Sequence, residues 1–130
     1  METNDNNFSI IIDHELKIIR YTHYRLICAL DIEKAWSIFL NMKEFTELNY
    51  NLLSDYRGGK FQMSVNVLPE IIKFIRVIEN IVKGKKQALI VDDPYSVAGS
   101  MLFESKVIEE IGFIVKVFST EVAALKWLAY

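Results

Sequence analysis

The chain of 130 residues is short of several things, and each shortage excludes a class of protein. It has one cysteine, Cys28, so no intrachain disulfide can form, which fits a reducing compartment. It has two histidines, His14 and His23, both in or beside one hairpin and with no cysteine or carboxylate cluster at ligand spacing. That pattern supplies no metal site. Charge of one sign is also lacking. The formal net charge is -2, so nothing steers the chain toward nucleic acid or an anionic membrane. Uninterrupted apolar runs such as Ile10–Ile12 and Ala88–Val91 are a few residues long, against about 20 for a membrane span. Met1–Asn7 is polar and lacks the basic-then-apolar order of a secretory signal. It is expected to be a disordered tail on a single cytoplasmic domain over residues 8–130.

What is present suits a packed domain. Hydrophobic residues make up 52% of the chain, enough for a core without metals or disulfides. Phe8–Ile12 and Leu16–Tyr24 flank the polar Asp13-His14-Glu15 and predict an antiparallel hairpin. Asp31 then stands before Ile32, Ala35, Trp36 and Phe39 at helical spacing, and is expected to cap that helix. Tyr50–Ser54 reads as a short strand. Pro69 opens a second helix carrying Ile71, Phe74, Ile75, Ile78, Ile81 and Val82, with Gly84 as its stop. Gln87–Val91 is continuously apolar after its first residue, as a parallel strand covered on both faces should be. Asp93-Pro94 is a helix start, and the third helix runs to about Glu110. Phe113–Phe118 is the last strand, and Thr120 caps a final helix.

The order is β-β-α-β-α-β-α-β-α. It implies an α/β domain with a mixed, mainly parallel five-stranded sheet and about four helices. No repeat, linker or domain boundary interrupts it.

Three stretches carry a resemblance to a known family. They are the hairpin followed by a helix with Ala35-Trp36, and Ala88-Leu89-Ile90-Val91-Asp92-Asp93-Pro94 followed by a helix with Ala98-Gly99-Ser100-Met101-Leu102-Phe103-Glu104. The third is Val117-Phe118, then Thr120, then Ala124-Leu125-Lys126-Trp127-Leu128. Together, from Phe8 to Leu128, they resemble the STAS superfamily and within it the bacterial SpoIIAA-like (STAS/SEC14-like) group. Many members carry an Arg in the third helix near the place of Met101 or Leu102, and that Arg is missing here. The resemblance implies a regulatory or protein-interaction module. Its SEC14-like side implies a carrier of a small nonpolar molecule.

Candidate site residues follow from position. Ligands of open α/β sheets gather beyond the carboxyl ends of strands, which singles out the loop Asp55, Arg57, Gly58, Gly59, Lys60 and Ser64. STAS proteins that antagonise anti-sigma factors hold here an Asp followed closely by a phosphorylated Ser or Thr. In this chain Tyr56 follows Asp55, leaving Ser54 and Ser64 as phosphorylation candidates in a pattern that is not intact. Gly58-Gly59-Lys60 lacks the spacing and the following hydroxyl of a phosphate loop, since Phe61 comes next. On the third helix, Val97, Ala98, Met101, Leu102 and Ile108 are expected to be the buried stripe. Phe103 and Val107 then project outward as a docking pair beside Gly99. The basic cluster Lys83-Gly84-Lys85-Lys86 is expected to be a solvated turn. No nucleophile–base pair or paired acid is assembled, and Cys28 has no His at a recognisable spacing. The expectation is therefore no catalysis and no cofactor. The partner is expected to be a protein, a second copy in a homodimer, or a small nonpolar ligand held near the aromatic side chains of Phe61, Phe74, Tyr95 and Phe103.

Overall fold

In the computed structural model of the chain, the structure describes residues 2–4, 7–62 and 64–130. The hairpin forms where the alternation places it. Strand β2 (Phe8–Asp13) pairs antiparallel with β3 (Ile18–His23), Phe8 opposite His23 and Asp13 opposite Ile18. Leu16 falls in the turn, where its N–H donates to Asp13 Oδ1 at 2.9 Å, and Lys17 closes the turn with φ of 56°. The second strand therefore starts later than the apolar run does. Strands β4 (Asn51–Asp55), β5 (Lys86–Ile90) and β6 (Ile114–Phe118) add in parallel, in chain order.

A sixth strand corrects the expected five. β1 (Glu2–Asn4) pairs antiparallel with β2 inside the stretch read as a disordered tail. Its short polar run carries no strand signal, but the open edge of β2 offers unpaired backbone groups to it. Residues 1, 5 and 6 of that tail lie outside the described residues. The sheet remains mixed and mainly parallel.

The helices also outnumber the four expected. They are α1 (Ala29–Leu40), α2 (Lys43–Thr46), α3 (Leu68–Val77), α4 (Glu79–Val82), α5 (Pro94–Glu110) and α6 (Glu121–Leu128), with a 3-10 turn at Val65–Val67 before α3. The expected second helix is broken at Ile78 (φ −105°, ψ 23°), within a stretch rich in β-branched residues. Gly84 does end it, at φ 81°. Asp31 does not cap α1 as expected. The helix begins two residues earlier, and the Asp31 carboxylate reaches back to accept from the Cys28 N–H at 3.3 Å. Asp93 and Thr120 cap as their local chemistry predicts, accepting from the N–H groups of Ser96 at 3.0 Å and Ala123 at 3.3 Å.

Two cores lie on opposite faces of the sheet. The larger one packs Phe8, Ile10, Ile19, Tyr21, Leu52, Leu89 and Val115 under α1 to α5. The smaller one packs Ile18, Leu53, Ala88 and Ile90 under Ala124 and Leu128 of α6. Helix α5 turns a different face to the larger core than its hydropathy suggests. Ser96, Ser100 and Val107 are its buried residues, and Phe103 packs against the core beside them. Met101 (56% exposed), Leu102 and Ile108 face outward, and Ala98 is exposed as well. Of the expected stripe, only Val97 packs inward. The small serines let the helix come close over the sheet, and Ser96 Oγ takes the Phe61 N–H at 3.4 Å.

The basic turn is likewise not simply solvated. Lys85 is buried, with Nζ donating to Asn49 Oδ1 at 2.9 Å and lying 5.1 Å from the centre of the Phe45 ring. Burial pulls its pKa down.

Candidate functional site

Strand alternation puts Ser54 and, just past the end of β4, Tyr56 on the face under α1 to α5, and does the same for Gln87 and Leu89 of β5. Above them, α1 supplies Ile32 and Trp36, and α5 supplies Gly99, Ser100 and Phe103. The segment between β4 and α3 closes one side with Phe61, and α3 itself does so with Leu68 and Ile71. These elements do not meet completely. They leave a cavity of about 90 Å³ beyond the sheet, with the exposed Ser64 and Tyr95 at its rim. Phe61 stands against Tyr56 in a T-shaped contact with centroids 5.3 Å apart.

The walls are apolar with a small polar floor. Gln87 is 3% exposed and Ser100 2%. Gln87 Nε2 donates to Ser54 Oγ at 3.0 Å, and Ser54 in turn hydrogen-bonds Tyr56. Burial drives the Tyr56 hydroxyl well above the ordinary phenol range against that bond, so the ring stays neutral. Two atoms of this floor, Gln87 Oε1 and Ser100 Oγ, have no hydrogen-bond partner among the described residues. Leaving a buried polar group unpaired costs about 1–3 kcal/mol. Among the described residues, none of the lining side chains carries a formal charge.

A second buried polar group lies beside this floor, between β3 and the start of α1. His23 is fully buried. Its Nδ1 is 2.5 Å from the Tyr21 hydroxyl and its Nε2 is 3.2 Å from the Leu26 carbonyl. A carbonyl only accepts, so Nε2 carries a proton toward Leu26, while Nδ1 shares a hydrogen bond with the Tyr21 hydroxyl. Asp31 Oδ2 lies 3.8 Å from Nε2 and accepts from Cys28 Sγ at 3.2 Å, and Asn7 donates to Oδ1 at 3.0 Å. Burial raises the Asp31 pKa, but the bonds from Asn7 and Cys28, with the nearby His23, outweigh it and hold the carboxyl below its usual range. Both ring nitrogens are engaged and the ring is away from solvent. The group ties β3 to the start of α1.

No family model matches the chain, and no curated protein does. Among solved structures, it superposes on the crystal structure of an uncharacterized protein from the DUF3478 family with a SpoIIAA-like fold, from Shewanella loihica PV-4. The TM-score is 0.60 at 14% identity, over 98% of each chain. The chain has a SpoIIAA-like fold.

Within the SpoIIAA-like frame, the residues singled out from the sequence separate into two groups. Ser64, Gly99 and Phe103 come together at the cavity. The others do different work. Arg57 clamps Asp55 through Nε and Nη2 at 3.0 and 2.8 Å, and the backbone N–H of Arg57 also donates to Asp55 Oδ1. Those bonds offset burial and keep the Asp55 carboxyl below its usual range. Gly58 and Gly59 lie against the backbone of residues 23–25. A Cβ on Gly58 would stand 2.6 Å from the His23 carbonyl oxygen, and one on Gly59 only 2.0 Å from that of Arg25. The glycines serve close packing, which the bonds Ile27 N–H to Lys60 O and Gln62 N–H to Ile27 O, both 2.8 Å, hold in place. Lys60 is exposed, near enough to Asp93 to help lower its pKa after the stronger bonds from Ser96.

Two candidates are corrected outright. Ser54 is 1% exposed and bonded on the inner face of β4, out of reach of a kinase. Val107 is fully buried, so it cannot form a surface docking pair with Phe103. Ser64 remains exposed, its Oγ accepting from the Asn66 N–H at 3.2 Å. Of the aromatics expected near a ligand, Phe61, Tyr95 and Phe103 line the cavity. Phe74 instead touches Trp36 from outside it. Gln87, Ser100, Trp36 and Tyr56 were not singled out as site residues. The available signal was Gln87, a polar residue opening an otherwise apolar strand.

Proposed function

We propose that this domain is a non-catalytic binding module that holds a small nonpolar molecule in the cavity between β4, β5, α1 and α5. The observation that carries the reading is an aromatic-walled hollow lying over the buried, hydrogen-bonded pair Gln87 and Ser54. Sites for small molecules are concave, mostly apolar, and carry a few placed polar groups. A cavity of about 150 Å³ takes a benzene ring. At about 90 Å³ this one is smaller and encloses less than a ring, so the rest of the molecule sits at the rim. The module acts by reversible docking, without covalent chemistry of its own.

The test is native mass spectrometry of the untagged protein, from gentle to dissociating conditions, with tryptophan fluorescence beside it. Trp36 lines the cavity, and the second tryptophan, Trp127, packs on the opposite face of the sheet. A Trp127→Phe protein therefore reports from the cavity alone. The expected result is an adduct released on activation, or saturable quenching or shift of Trp36 emission by small ring compounds. A clean mass with no response to any ring probe overturns the reading.

A second reading, docking of a protein or a second copy, is favoured by one observation. Tyr95, Met101, Leu102 and Ile108 are exposed along α5. Its test is the sedimentation-derived mass of the wild type against Leu102→Glu. A monomer in both removes the self-association form of this reading.

A further inference from the structure

We infer a second binding site, in the groove between α3 and α5, for a small organic acid, meaning a carboxylate on a short apolar body. The inference goes beyond the cavity reading, because the groove is a separate hollow with different chemistry. It holds about 340 Å³, inside the range of about 300–1,000 Å³ usual for small-molecule sites. Leu68 and the buried Ile72 of α3 give it an apolar side. Lys73 and Arg76 of α3, with Lys106 and Glu110 of α5, give it a charged one. Among the described residues, Leu68 alone lines both this groove and the cavity.

The charges do not balance. Glu110 Oε1 accepts from Arg76 Nη2 at 3.0 Å across the two helices. Lys73 and Lys106 form no ion pair among the described residues. Three cations thus share one carboxylate, on a chain whose net charge is -2. Lys73 and Arg76 stand three apart on one helix, a spacing at which like charges repel. A cleft lined by one sign of charge concentrates ions of the other sign. A carboxylate held there relieves the repulsion, and Arg76 has donors beyond the one given to Glu110. Leu68 and Ile72 gain from the ligand only if it brings apolar surface of its own. A bare inorganic ion does not use that side, an ammonium is repelled, and a neutral alcohol leaves the lysines uncompensated.

The probes are hexanoate, 1-hexanol and hexylammonium. Each is titrated into the full chain with labelled methyl groups and followed by NMR. The Ile72 methyls report from the groove and the Leu89 methyls from the cavity. Hexanoate is expected to shift Ile72 saturably, at least about fivefold more tightly than 1-hexanol, with no response to hexylammonium. Replacing both lysines, Lys73→Gln with Lys106→Gln, should weaken hexanoate about tenfold and leave 1-hexanol within about twofold. Glu110→Gln removes the competing carboxylate and should tighten hexanoate about threefold. If 1-hexanol moves Ile72 as well as hexanoate does, or the double variant binds hexanoate like the wild type, the inference falls. If hexanoate moves Leu89 and not Ile72, the acid sits in the cavity, so the groove inference falls and the cavity reading stands. If no probe moves Ile72, the groove inference falls alone, since the cavity reading has its own test in Trp36 emission. The three-probe comparison on the wild type decides the matter even if a variant does not fold.

Discussion

Replacing Gly59 by alanine separates the packing account of the glycine loop from any ligand-binding account. The added Cβ would stand 2.0 Å from the Arg25 carbonyl oxygen and 3.0 Å from its carbon. Carbon and oxygen settle no closer than about 3.3 Å, so the two backbones must part by roughly 1 Å or more. That movement breaks the pair of bonds joining Ile27 to Lys60 and Gln62. Each is worth about 0.5–1.5 kcal/mol net, and overpacking strain adds about 1–3 kcal/mol. The expected loss is roughly 2–6 kcal/mol. Gly59 does not have a positive φ, so the penalty is steric and none of it is dihedral. Gly99→Ala is the internal control. Its Cβ meets only the Phe61 ring, at 4.0 Å, and alanine in mid-helix gains up to about 1 kcal/mol over glycine. Urea denaturation followed by circular dichroism reads both. With an m-value of about 1–3 kcal/mol/M, Gly59→Ala should lower the midpoint by roughly 1 M or more, while Gly99→Ala should leave it level or raise it. A Gly59→Ala midpoint within about 0.2 M of wild type refutes the close approach.

Ser100→Ala should raise ligand-free stability by about 1 kcal/mol, since it removes an unpaired buried hydroxyl and improves helix propensity. A loss of that size in thermal unfolding would show the hydroxyl to be satisfied. Val107→Ala should cost about 2 kcal/mol and Met101→Ser less than about 0.5 kcal/mol, with chemical denaturation as the check. The opposite ranking would put the other face of α5 inward. Asp31, Asp55 and Asp93 all have folded pKa values below the usual carboxylate value. As pH falls below about 5, the unfolded chain takes up protons first, near pH 3.9. The stabilisation is thus complete above that window and is lost as pH falls through the folded values. Asp31→Asn should flatten the acid limb of a stability-against-pH curve, and an unchanged limb would remove Asp31 from this account.

Features fixed by local chemistry were readable in advance, and features fixed by the meeting of distant segments were not. Asp93-Pro94 and Thr120 start helices because their caps need only the next three residues. The hairpin follows from alternation, and the parallel order of β3 to β6 from strands separated by helices. Strand β1 is not legible in the sequence because Glu2–Asn4 has no apolar pattern and pairs along the open edge of β2. Hydropathy alone points the wrong face of α5 at the core. Met101, Leu102 and Ile108 look like core, and Ser96 and Ser100 look like surface. Asp93 fixes where the helix starts, and the sheet beneath accepts the side that comes closest, which is the side with the serines. Glycine behaved similarly. Gly58-Gly59 was legible as a loop, but its reason lies some 35 residues earlier, in the backbone of 23–25. The cavity is the extreme case, since it is the space left where Trp36, Phe61, Gln87 and Ser100 fail to touch. One trace of it did lie in the sequence. Ser54 and Gln87 are polar residues on neighbouring strands at inward positions of a sheet covered on both faces. Apolar residues there would pack at no polar cost.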